Sequence, residues 1–124
     1  MTSPGGSPRR EGRTVDERAR RVGRNEALFR TINEEIEKLE QASAFPQDDL
    51  TIVCECGDLL CDDRFLVPVR AYEEVRGDPT TFFVLPGHEK PEFEDVVDRA
   101  ERYFVVRKRP GEPAQLAAAT DLRS

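Results

Sequence analysis

Hydrophobic and polar positions follow two rhythms along this chain. From Thr14 to Gln41 the rhythm is helical. Val15, Val22, Phe29 and Ile36 recur every seven residues, Ile32 and Leu39 fill intervening positions, and Leu28 widens the stripe. Thr14 and Glu17 have the spacing of a capping box, and acids there suit the positive end of a helix. Arg18 and Asn25 interrupt the stripe and Gly23 weakens its middle. The strong part is therefore 25–40, with Asn25 as an alternative start. Such a stripe has two destinations: the protein's own small sheet, or a partner helix or second copy.

Residues 45–109 change rhythm and predict a compact unit. Leu50–Cys54 is β-branched and strand-like, and Arg64–Val67 is a second short strand. Pro68 suits the first turn of a helix that carries Tyr72 and Val75 on one face and stops at Gly77, Asp78 and Pro79. Thr81–Leu85 reads as a strand, and Pro86 and Gly87 as a turn. Val96, Val97 and Tyr103–Val106 suit a hairpin, although Glu92–Arg102 also has helical spacing. The fold class expected is α+β: an N-terminal amphipathic helix over 14–41, then a small sheet-and-helix unit. The ends look different. Residues 1–13 are rich in Pro, Gly, Ser and Arg, cannot bury enough surface to offset ordering entropy, and are expected to be a disordered arm. Residues 110–124 are expected to be a flexible tail with at most a transient helical turn.

Composition narrows the picture. Of 124 residues, 37% are hydrophobic and 35% charged, so the core must be small. Its longest apolar stretches fall far short of the roughly 20 residues that span a bilayer. The first residues lack the apolar centre of a secretory signal. A cytoplasmic location is the expectation. Charge is unevenly spread: residues 1–24 carry a net +4 and the remainder −10, within an overall −6. An acidic body disfavours nonspecific nucleic-acid binding, which draws mainly on phosphate contacts. The Arg-rich arm leaves a nucleic-acid-associated role as an alternative.

Three cysteines and one histidine carry the chemistry. An odd number cannot pair fully in disulfides. Cys54, Cys56 and Cys61 form C-x-C-x4-C, Gly57 sits where a metal knuckle needs a backbone turn, and His88 follows Pro86 and Gly87. Three thiolates and one imidazole complete a tetrahedral shell for Zn²⁺. A unit of this size has little stability without a staple, and structural zinc supplies one. The cysteine spacing matches that of the zinc-binding post-SET motif of histone methyltransferases, though no SET domain is present. The ligand set is similar to that of CDGSH-type [2Fe–2S] proteins, but Cys61, Asp62 and Asp63 are followed by neither their glycine nor their nearby histidine.

A closed shell argues against catalysis, since catalytic zinc keeps a position open. His88 and Glu89 do not match the deaminase H-x-E signature. There is no second histidine for a nucleophile pair and no phosphate-binding glycine loop. An open site held by the three cysteines alone, with Glu55, Asp58 or Glu89 as base, is the enzymatic alternative. Otherwise Glu55, Asp58, Asp62 and Asp63 are expected to form a solvated acidic rim. The expectation is a non-enzymatic, structural-zinc protein, regulatory or adaptor in role, engaging a protein partner or itself through the N-terminal helix. A thiol/zinc redox sensor is the alternative from the same residues.

The segments NEALFRTINEEIEKLE, VCECGDLLCDDRFLV, YEEVRGDPTTFFVLPGHE and VVDRAERYFVV together resemble a family of small actinobacterial Cys-rich proteins. The resemblance runs from Asn25 to Lys108, and its specific parts are the CECG and PGHE motifs. The chain departs from the family pattern at Val67 and Pro68, which alters a helix cap and no candidate ligand. The resemblance implies a cytoplasmic location and the grouping of Cys54, Cys56, Cys61 and His88. It implies no activity.

Overall fold

The computed structural model describes the backbone of residues 7–123 and side chains from residue 17 onward. Its elements are α1 (Ser7–Gln41), β1 (Asp49–Val53), β2 (Arg64–Pro68), α2 (Val69–Arg76), β3 (Thr81–Val84), β4 (Glu94–Arg99), β5 (Phe104–Lys108) and α3 (Glu112–Ala119). The fold is α+β. β1 and β2 form an antiparallel ribbon with Leu50 opposite Val67 and Ile52 opposite Phe65. β3, β5 and β4 form a second antiparallel sheet in that order. The 94–108 segment is thus the hairpin, with its turn at 100–103, and not the alternative helix. β-branched residues on both strands favour extended backbone there.

Past the end of β1, Glu55 joins the two sheets. Its N–H donates to the Phe83 carbonyl at 2.8 Å, and its carboxylate accepts from the Phe83 N–H at 2.9 Å. The core lies between the sheets and α2: Leu50, Ile52, Val67, Tyr72, Phe82, Phe83, Val84 and Val106 are all at most 1% exposed. Tyr72 stacks on Phe83 at 5.7 Å, and Tyr103 makes a T-shaped contact with that ring at 5.4 Å.

Three expectations are corrected. First, α1 begins at Ser7, so residues 7–13 belong to it; residues 1–6, and the side chains of Thr14 and Val15, lie outside the described residues. Arginine and glutamate are good helix formers, Pro8 is tolerated in a first turn, and adding residues to an existing helix avoids the cost of nucleation. Asn25 lies inside α1 and does not start it.

Second, α1 turns a mainly charged face inward. Glu26, Arg30, Asn33, Glu34 and Glu37 are buried, while Leu28, Ile32 and Leu39 are 51%, 38% and 72% exposed. Phe29 and Ile36 sit at the boundary. Val22 does pack inward. The inward charges have partners across the core, several of them shared. Lys108 Nζ lies 2.5 Å from Glu26 and 2.7 Å from Glu94. Arg30 donates to the Pro79 and Ala117 carbonyls, each at 2.7 Å, and covers the Phe82 ring at 4.5 Å. Glu34 accepts from the Tyr72 hydroxyl at 2.5 Å and pairs with Arg76 at 3.3 Å.

Third, the C-terminal tail is part of the structure. α3 packs on α1 at Gly23, where an added Cβ would lie 2.5 Å from Leu116 Cδ2. Asp121 pairs with the buried Arg76 at 2.6 Å, and Arg123 reaches Glu34, Glu37 and Glu73 at 2.5–3.0 Å. Alanine-rich composition hides these polar anchors. Among the described residues no helix is long and apolar enough to cross a membrane.

Candidate metal centre

The end of β1 delivers Cys54 into the core, and the chain then turns back. Cys54 N–H donates to the Asp63 carbonyl at 2.9 Å, which closes Glu55–Asp62 into a loop at the mouth of the ribbon. Gly57 makes the bend at φ +81°. A side chain there would be strained twice, since an added Cβ would lie 2.9 Å from the Val22 carbonyl oxygen and from Glu26 Cγ. After β3, Pro86 and Gly87 form the expected turn, held by His88 N–H on the Leu85 carbonyl at 2.9 Å, and return His88 to the cysteines.

The structure brings all four sequence-predicted residues together. One ligand atom from each of Cys54, Cys56, Cys61 and His88 lies within 4.8 Å of the others. His88 Nδ1 is 3.6 Å from Cys54 Sγ and 3.6 Å from Cys61 Sγ. A tetrahedron with Zn–S of about 2.3 Å and Zn–N of about 2.0 Å has an N···S edge of about 3.5 Å, so these separations fit a bound ion. The group could bind a metal.

The electrostatics suit a cation. Hydrogen bonding from the Cys54 thiol, opposed by burial and joined by the Asp58 N–H and His88, pushes Cys56 down toward thiolate. The same bond and burial push Cys54 up, although the Leu85 N–H donates to its sulfur at 3.3 Å. Three crowded sulfurs cannot all carry charge without a positive centre, and a metal provides one. Cys54 and Cys56 are buried, whereas Cys61 and His88 are half-buried.

The acidic rim is corrected at one position. Asp58, Asp62 and Asp63 are exposed as expected, but Glu55 is fully buried. Burial pushes its carboxyl up to about 7, against hydrogen bonds from Asn33 and the Phe83 N–H. It cannot be a solvent-facing base, because both its oxygens are engaged away from the cluster by Asn33 and Phe83.

The residues that hold this loop escaped the sequence reading. Asn33 uses both ends of its amide: Nδ2 donates to the Val53 carbonyl at 2.9 Å and to Glu55 at 2.8 Å, and Oδ1 accepts from the Val53 N–H at 2.8 Å. Asn25 Nδ2 donates to the Gly57 carbonyl at 3.0 Å. Lys90 donates to the Cys56 carbonyl. The signal was present as the interruption of the apolar stripe by Asn25, which marks not a weak helix but a helix whose other side does the docking.

No family model, no curated protein and no solved structure matches this chain.

Proposed function

We propose that the chain is a small non-enzymatic zinc protein. In this reading Cys54, Cys56, Cys61 and Nδ1 of His88 hold Zn²⁺, and the stapled unit presents α1 to a protein partner in a regulatory or adaptor role. The observation that carries the metal assignment is the pair of 3.6 Å Nδ1···Sγ separations inside a group of four ligand atoms. The same reading takes the chain as a cytoplasmic member of the actinobacterial Cys-rich family that its motifs resemble. A filled shell leaves substrate no position at the metal. The Arg-rich end of α1 is partly committed already, since Arg18 pairs with Glu92 and Arg20 with Glu112 at 2.6 Å, which weighs against a nucleic-acid role.

Elemental analysis of protein purified without chelator tests this. One zinc per chain is expected, with Cys56→Ser and His88→Ala each losing it. Two irons per chain, or a zinc content untouched by His88→Ala, overturns the closed-site assignment.

The half-buried Cys61 favours a second reading, a thiol/zinc redox sensor, because it is the least buried of the three cysteines. A peroxide would take two electrons from two of the thiolates, form one disulfide, be reduced to water and displace the metal. Zinc release at stoichiometric peroxide, reversed by a dithiol reductant, is expected on that reading. Retained zinc counts against it.

A further inference from the structure

The face of the second sheet turned away from α1 carries an open cavity. Side chains alternate along β5: Lys108 reaches Glu26 of α1, whereas Val105 and Arg107 take the opposite face. α2 covers the β3 side of that face, where the Thr81 hydroxyl donates to the Val75 carbonyl at 2.7 Å. Between α2 and β4 a cavity of about 280 Å³ is left. Its floor is apolar, made by Val75, Val105 and Val97, the last 43% exposed.

The polar lining is acidic once its internal pair is set aside. Arg107 is engaged by Asp78 at 3.3 Å, and Asp78 also accepts from the Thr80 N–H at 2.9 Å and hydroxyl at 2.6 Å. Glu74 on α2 and Asp98 on β4 are exposed, and neither carboxylate has an ion pair or hydrogen bond with any described residue. Of the flanking arginines, Arg70 and Arg102 do not line the cavity, and Arg99 lies over the Phe104 ring at 5.5 Å. Tyr103 adds a third acceptor. Its ring is held by stacking on Phe65 at 5.8 Å and by the T-shaped contact with Phe83, yet its hydroxyl has no hydrogen-bond partner among the described residues. Burial, joined by the charge of Asp98, pushes that hydroxyl up, so it stays a neutral phenol with lone pairs to offer.

We infer that this cavity receives an arginine side chain of a protein partner, with its methylenes on the three valines and its guanidinium shared by Glu74, Asp98 and the Tyr103 hydroxyl. The inference goes beyond the zinc reading and does not depend on it. Two unpaired carboxylates beside an apolar floor favour a cation with an apolar stem. A bare metal ion fits poorly, because among the described residues the ligand atoms that converge closely are those of Cys54, Cys56, Cys61 and His88. Acceptors contributed by α2, β4 and the start of β5 suit the five donors of a planar guanidinium better than the point charge of an ammonium. The size agrees with one side chain, since sites for whole small ligands run from about 300 to 1,000 Å³. An acidic rim also repels the α-carboxylate of free arginine, which selects an arginine within a chain.

Titration of the ¹⁵N-labelled, zinc-loaded full chain with N-acetyl-arginine amide tests the inference. Saturable amide shifts are expected within 71–81 and 97–107, with a Kd of about a millimolar, the scale of a single side chain. The citrulline analogue, whose urea carries no charge, should bind at least about tenfold more weakly, and the lysine analogue several-fold more weakly. Glu74→Gln and Asp98→Asn should each weaken binding by about two- to fivefold, as expected for exposed ion pairs. Their amide spectra should otherwise match the wild type, because both side chains are exposed. Asp48→Asn, an exposed acid outside the cavity, should leave binding unchanged. Shifts that never saturate and follow acidic residues over the whole surface overturn the inference. So does binding indifferent to both Glu74→Gln and Asp98→Asn. A lysine analogue as tight as arginine overturns the selection of a guanidinium, and free arginine tenfold tighter than the blocked form overturns the protein source. Zinc content of the same samples reports on the metal assignment separately.

Discussion

Single residues around the cluster do more than their type suggests. Asn33 satisfies both backbone groups of Val53 and one oxygen of the buried Glu55. Asn33→Ala orphans all three, and an unsatisfied buried group costs about 1–3 kcal/mol. Urea unfolding of the zinc-loaded variant should show a loss of at least about 2 kcal/mol, although Asn33 touches no metal. Gly57 is constrained by its positive φ and by the Val22 carbonyl. Gly57→Ala should cost about 1–3 kcal/mol and lower zinc affinity in a chelator competition, because the bend aims Cys56. Glu26 gives a pH signature. Burial, only partly offset by Lys108 and aggravated by Glu94, pushes its carboxyl from 4.5 up to about 8. One ammonium shared between two buried carboxylates does not offset the burial of Glu26. A group raised on folding contributes stability at low pH that is lost as pH rises through its folded value. Stability should therefore fall between about pH 4.5 and 8 on account of Glu26, and thermal melts of Glu26→Gln over that range should show a flatter profile than the wild type.

At the scale of elements, the C-terminal segment and α1 depend on each other. Arg76 is buried between Glu34 and Asp121, and Arg123 bridges α1 to α2 through Glu34 and Glu73. Removing one partner of a buried ion pair costs about 3–5 kcal/mol. A chain ending before Glu112 loses Asp121 and Arg123 together and should be destabilised by at least that amount in denaturant titration. Acid should undo the same layer. Burial opposes ionisation of Glu34, but hydrogen bonds from Arg123 and Tyr72, with Arg76 beside them, hold it near 2 against an ordinary 4.5. A carboxylate lowered on folding contributes stability above its unfolded value and loses it as pH falls through its folded one. Melting temperature should drop between about pH 4.5 and 2, less steeply in Glu34→Gln, which starts from a lower plateau.

For the whole molecule, the apolar core is narrow and a layer of charge surrounds it. Cys54 and Cys56 belong to that core, so the proposed zinc would tie the ribbon, the second sheet and, through Asn25 and Asn33, α1. Apparent zinc free energies of roughly 10–16 kcal/mol in small domains exceed what a core of this size supplies. Chelation at neutral pH should therefore melt the tertiary structure cooperatively. The three thiols should react with a disulfide reagent only after the metal is removed. Native near-ultraviolet dichroism that survives complete removal would show that the core stands without the staple.

How much of this the sequence carried can be traced to the range of the forces involved. Local patterns sufficed for the α+β class, for the strands near 50, 65, 82 and 105, for the turn before His88 and for the grouping of the three cysteines with the one histidine. Those features follow from propensity, from turn chemistry and from there being four strong ligands in all, none of which needs a partner's position. The facing of α1 could not be had that way. A stripe of apolar residues states that one side of a helix seeks burial, not that the core is what buries it. The tertiary structure decided that Glu26, Arg30, Asn33 and Glu34 turn inward, because Lys108, Arg76, Phe82 and the 53–57 backbone lie where those groups can be satisfied. It likewise ordered the C-terminal segment, whose anchors Asp121 and Arg123 find their partners 45 and 89 residues away. Ion pairs formed over such separations leave no periodicity in the chain, so they become visible only once the chain is folded.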